Sequence, residues 1–127
     1  FDLGDTKRAE KILNLTSDAD LGQSLIVSQG VCLAIETAPG TDAMLRFLRT
    51  AKKNDNSLAK GGIFYKAPKK DQNQFIDQPV IGIRTIKAVH QAGLNGIVIK
   101  RSKVICLDLK KILKLANELG LFIWSKN

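Results

Sequence analysis

The chain has 127 residues, 44% of them hydrophobic and 25% charged, a globular balance too apolar for a disordered tail. No apolar run approaches the roughly 20 residues that span a bilayer as a helix, and nothing resembles a signal peptide. A formal net charge of +8 favours a polyanionic partner such as nucleic acid, a phosphorylated small molecule or an anionic membrane surface.

The charge is unevenly spread. Residues 1–42 hold seven acids and three bases, a net of −4, whereas residues 43–127 hold seventeen bases and five acids, a net of +12. The first residue is Phe1 rather than Met, which suggests a processed product or a domain of something longer. Cys32 and Cys106 each sit inside an apolar stretch and read as buried, reduced thiols of a cytosolic protein. One histidine and no close cysteine spacing argue against a zinc site.

In chain order, "DTKRAEKILNL" (5–15) places Ala9, Ile12 and Leu13 at helical spacing behind a capping Asp5-Thr6 pair. "SLIVSQGVCLAIE" (24–36) predicts a hairpin turning at Gln29-Gly30. Thr41 is placed to cap a helix of roughly 42–52 with Met44, Leu48 and Ala51 on one face. A loop over 54–62 leads to a strand at 63–67, then to a polar loop over 68–79 with Pro68, Asp71, Asp77 and Pro79. "IGIRTIKAVHQAGL" predicts a turn and a helix ending at Gly93, and "GIVIKRSKVICLD" (96–108) a second hairpin turning at Arg101-Ser102. An amphipathic helix from Leu109 to Leu119 stops at Gly120, and "LFIWS" closes as a strand. The order α-ββ-α-β-α-ββ-α-β predicts an α+β (mixed α/β) fold: hairpins forming a mixed sheet with about four helices packed on it, rather than a clean parallel βαβ array.

Familiar nucleotide motifs are missing: there is no P-loop and no dinucleotide fingerprint. His90 lies in a helix with no nucleophile signalled beside it and reads as a structural or surface residue. What stands out is a set of carboxylates in turns, Asp20, Glu36, Asp42, Asp71 and Asp77, among Arg46, Lys66, Lys69 and Lys70. Magnesium takes hard oxygen ligands, commonly one or two carboxylates plus substrate phosphates, so this mixture suits a diphosphate site. Each acid also has an ordinary explanation, since Asp42 favours a first helical turn and Asp71 and Asp77 favour turns. From spacing alone both readings stand.

Taken together, "DLGQ" (20–23), "VSQGVCLAIE", Glu36 through "GTDAM", "YK" (65–66), "KKDQNQFIDQPVIG" (69–82), "AGLNGI" (92–97) and the closing "LGLFI" resemble the C-terminal domain of the LpxI family. LpxI enzymes are UDP-2,3-diacylglucosamine pyrophosphatases of lipid A, and hence lipopolysaccharide, biosynthesis in Gram-negative bacteria. The resemblance divides the chain into a linker and first helix (1–16) and an LpxI-like catalytic domain (17–127), with the N-terminal domain absent. It implies hydrolysis of UDP-2,3-diacylglucosamine to UMP and 2,3-diacylglucosamine 1-phosphate (lipid X) with a divalent cation, Mg2+. It further implies a homodimer, cytoplasmic and peripheral to the inner membrane, acting on a lipid-linked nucleotide-sugar substrate together with the N-terminal domain of the same parent protein.

Carried over position by position, the resemblance makes Asp77 and Asp42 the catalytic and metal-binding residues. Glu36, Thr41, Lys66 and Asp71 become substrate-binding residues, with Asp20 behind them. This chain departs from the family pattern at Gln72, Asn73 and Gln74, at Ile83-Arg84, and at "KRSK" (100–103), which bears on how the substrate headgroup is held. The alternative is a basic nucleic-acid-binding or non-catalytic interaction domain. The chain lacks a pattern of stacking aromatics among its lysines, so no nucleic-acid partner is expected.

Overall fold

A computed structural model describes residues 3–16, 23–55, 57–58, 60–67, 80–100, 105–106 and 108–126. In chain order the elements are α1 (Leu3–Thr16), β1 (Ser24–Ser28), β2 (Val31–Ile35), α2 (Thr41–Asn54), β3 (Ile63–Lys66), β4 (Val80–Ile81), α3 (Ile83–Gln91), β5 (Gly96–Lys100), β6 (Ile105–Cys106), α4 (Leu109–Glu118) and β7 (Phe122–Lys126). Five strands form one mixed sheet in the order β2-β1-β3-β5-β7, and β4 pairs with β6 in a small parallel sheet of its own. The predicted α+β class holds.

Strand β3 sits at the centre. It runs antiparallel to β1, with Ser24 opposite Lys66 and Val27 opposite Ile63, and parallel to β5, with Ile63 opposite Gly96 and Lys66 opposite Ile99. Strand β5 in turn runs parallel to β7. Alternate side chains point to opposite faces of a strand. Ile26, Phe64, Ile97 and Ile99 therefore meet α2, α3 and α4 through Met44, Leu45, Leu48, Ile86, Val89, Ile112 and Ala116. Leu25, Val27, Ile63, Tyr65 and Val98 face α1 through Ala9 and Leu13. Burial of each such Leu, Ile or Phe contributes ~1.5–3 kcal/mol.

The first hairpin forms as predicted, turning at Gln29-Gly30, with an irregularity in register between Ile26 and Val27. Asp5 does not cap α1, which starts earlier, at Leu3. Its buried carboxylate instead accepts the N–H groups of Gln29 (3.0 Å) and Gly30 (2.8 Å), fastening α1 to the turn.

The second expected hairpin does not form. Both edges of β5 are already taken, by β3 and β7, so residues 105–106 pair with β4 instead. The chain from β3 onward therefore contains the parallel β-α-β connections that the alternating hairpin reading set aside. The expectation of a buried Cys32 is also corrected: it is exposed, because β2 is the outermost strand. The side chain of Cys106 lies outside the described residues.

Close strand packing depends on glycine at two places. Gly62, at φ +106°, has Val27 O and Ser28 Cβ 2.7 Å from where a Cβ would stand, and a Cβ on Gly96 would run into the Phe122 ring. Gly62→Ala should destabilise the fold by about 1–3 kcal/mol through combined clash and strain. Asp5→Ala should cost about 1–3 kcal/mol by stripping two backbone donors of their acceptor. Urea denaturation followed by circular dichroism measures both.

Candidate functional site

Strand β3 ends in a lysine. Lys66 follows Phe64 on the face that carries α2, α3 and α4, and the residue is only 7% exposed. Burial lowers the pKa of its ammonium, while the charges of Glu36 and Asp42 act to raise it. Lys66 Nζ donates to Thr41 Oγ1 at 3.4 Å. The cation is thus placed under the N-terminus of α2, where its methylene stem is packed and its head meets oxygen.

Three strands arrange the surroundings of Lys66. Ser24 lies directly opposite it in the β1–β3 ladder and is fully buried. The Ser24 hydroxyl donates to Glu36 Oε1 at 2.7 Å, and the Gln23 N–H donates to the same oxygen at 3.3 Å. Glu36 Nα–H in turn donates to Ser24 O at 2.9 Å, so the carboxylate just past β2 is tied to the start of β1. Ser24 was not singled out from sequence: a serine opening an apolar run is a weak signal, and only the fold brings its hydroxyl against Glu36.

Thr41 was expected to cap α2. Gly40 occupies the cap position instead, at φ 95°, and offers no side-chain bond to the first turn. Thr41 becomes the first helical residue, and its hydroxyl serves Lys66. Asp42 stands in the same first turn, its side chain half exposed, and pairs with Arg84 of α3 at 3.3 Å. That pair is 89% and 50% exposed, so it adds little to stability, on the order of 0–1 kcal/mol. Its value is positional: it shows that α2 and α3 begin at the same end of the sheet. Helix N-termini carry unsatisfied N–H groups and a partial positive charge, both suited to an anion.

Four of the residues named from sequence therefore converge: Glu36, Thr41, Asp42 and Lys66 gather at the C-terminal ends of the parallel strands, where open α/β sheets commonly bind ligands. Asp20, Asp71 and Asp77 lie outside the described residues. Arg84, which sequence reasoning noted only as a departure, joins this group. His90 is exposed on α3 and takes no part in it.

The family model for the LpxI C-terminal domain matches residues 2–124. This chain belongs to that family. A curated relative, the UDP-2,3-diacylglucosamine pyrophosphatase LpxI of Caulobacter vibrioides, is 34% identical over 123 residues, which make up 95% of this chain and 44% of the relative. The chain thus spans less than half the length of that relative. Among solved structures, the dCMP deaminase of cyanophage S-TIM5 superposes with a TM-score of 0.53 at 12% identity, covering 98% of this chain and 99% of the deaminase. At that identity the likeness concerns the fold alone.

In this LpxI C-terminal domain, Asp42 offers a hard, half-exposed oxygen donor of the kind magnesium accepts. Among the described residues, no three His, Cys, Asp or Glu side chains group closely enough to hold a metal by themselves.

The lysine gives a pH test. Its pKa is lower in the folded state, so between that value and the ordinary 10.5 the unfolded chain binds more protons. The cost of burying the charge is fully present below the folded pKa and is relieved as pH rises through this window. Stability should gain from this group on approach to pH 10.5, and Lys66→Met should remove that gain, as read by urea midpoints across alkaline pH.

Proposed function

We propose that this chain is the catalytic domain of a UDP-2,3-diacylglucosamine pyrophosphatase, hydrolysing its substrate to UMP and 2,3-diacylglucosamine 1-phosphate in lipid A biosynthesis. The observation that carries this reading is the buried Lys66 at the strand ends, with Thr41, Asp42 and Glu36 around it, in a chain of the LpxI C-terminal domain family. The name of the Caulobacter relative supplies the substrate.

Water adds to one phosphorus of the diphosphate, the bridging P–O–P bond breaks, and the leaving phosphate departs with the electron pair. Positioning and neutralisation of charge supply most of the acceleration in such phosphoryl chemistry. Lys66 binds a diphosphate oxygen as a point charge, with its amine already desolvated and held by Thr41. The uncapped first turn of α2 faces the same anion. Glu36 keeps Ser24 and the β1–β2 edge in register beside the lysine.

Asp42 and Asp77 are the residues we assign to the magnesium ion, and Asp71 to the substrate. When bound, magnesium neutralises phosphate charge and polarises the phosphorus under attack. Arg84 pairs with Asp42 at the rim of the site, 89% exposed, where its guanidinium would be within reach of a substrate phosphate. The enzyme acts as a homodimer in the cytoplasm at the inner-membrane surface, with the N-terminal domain of its parent completing the lipid site.

The chain joined to the N-terminal part that its relative carries should release UMP in magnesium, and EDTA should abolish the release. Lys66→Met, Asp42→Ala and Asp77→Ala should each lower kcat by roughly 10²-fold or more, the scale of losing one charge-stabilising contact. Near-normal turnover by Asp77→Ala or Lys66→Met would remove those assignments. The 127-residue chain alone should show little turnover.

A further inference from the structure

Helix α4 carries two features that the diphosphate site does not use. Leu109 and Leu113 are 53% and 49% exposed, four residues apart and so stacked on one flank. Lys110 and Lys114 are exposed one position further round, on the side opposite the buried Ile112 and Ala116. The helix's acidic neighbours stand apart from this strip. Asp108 pairs with Lys111 at 3.4 Å, and Glu118 lies one turn beyond Lys114, on the lysine side of the helix and away from the leucines. An apolar strip bordered by lysines, with its acids turned aside, is the pattern of a helix that lies in an anionic lipid interface.

The direction of α4 brings this strip to the site. The C-terminal end of α4 leads into Phe122, which pairs with Gly96 at the start of β5. A ten-residue helix rises about 15 Å, close to the length of a five-residue strand, so Leu109 comes back to the end where β5 finishes at Lys100. This is the end at which Lys66, Thr41, Asp42 and Arg84 gather. Lys100 and Arg84 are exposed there and extend the positive surface.

We propose that the Leu109–Leu113 flank of α4, with Lys110 and Lys114, docks this protein on an anionic phospholipid bilayer. The two leucines enter the boundary between headgroups and acyl chains, and the lysines take the lipid phosphates. A substrate with two acyl chains then presents its diphosphate at the strand ends without leaving the bilayer. This last step rests on the pyrophosphatase reading, whereas the docking itself does not.

Co-sedimentation of the 127-residue chain with vesicles tests the docking directly. It should bind vesicles containing phosphatidylglycerol, bind pure phosphatidylcholine weakly, and lose affinity as salt is raised. Leu113→Asp should weaken binding ~tenfold, and Lys110→Gln and Lys114→Gln about fivefold each. Leu109→Ser and Leu113→Ser keep the test open if the aspartate variant misfolds, with thermal melting as the check on folding. Binding that is absent, or unaffected by all of these α4 substitutions, would overturn the proposal. So would a dimer, seen by light scattering, that Leu113→Ser disrupts while vesicle binding stays unchanged. Vesicle binding without any UMP release from the longer enzyme would leave the docking standing and sink the pyrophosphatase reading instead.

Discussion

Everything in this molecule is arranged around a strand buried along its whole length that nevertheless ends in a cation. Strand β3 has neighbours on both edges and helices on both faces, so Ile63, Phe64 and Tyr65 leave water entirely. Burial pushes the Tyr65 hydroxyl up to about 12, a measure of how dry the strand is. Lys66 continues that strand and inherits its environment. A lone ammonium there would be costly, and the fold answers with oxygen: Thr41 directly, Glu36 and Asp42 through their charge.

That compensation ties distant parts of the chain together. Glu36 comes from just beyond β2, Thr41 and Asp42 from α2, and Ser24 from the start of β1. Each is fixed by a backbone feature whose first purpose is structural: the antiparallel ladder, the Gly40 turn, the parallel crossover that brings α3 beside α2. The resulting group balances one buried cation against two carboxylates, with a half-free arginine at the rim. It can admit a strongly negative group only with further positive charge, which is why a divalent cation suits the chemistry proposed for it.

The molecule is also polarised along its strands. At the far end from Lys66, Asp5 fastens α1 to the β1–β2 turn, and Lys52 donates to Gly61 O at 3.4 Å while burial lowers its pKa. Those contacts close backbone groups and leave little for a ligand. At the near end, α2 and α3 begin rather than finish, and neither first turn is capped by a side chain. The end proposed for the diphosphate is thus the one where two helices start, and the other is closed by contacts within the chain.

By itself the sequence determined the local elements: the Gln29-Gly30 hairpin, the helices over α2 and α4, the closing strand and the apolar faces of each. These follow from side-chain period and from glycine at positive φ, both of which are written over a few neighbouring residues. It also marked Glu36, Thr41, Asp42 and Lys66, through their resemblance to a family, without placing them. Tertiary structure alone decided that residues 96–100 and 105–106 do not pair, since that depends on β3 and β7 having filled both edges of β5. It alone decided that Thr41 serves a lysine rather than its own helix, and that Ser24 stands behind Glu36. Pairing across a sheet joins residues far apart in the chain, and no local pattern records which edge will be free when a strand arrives.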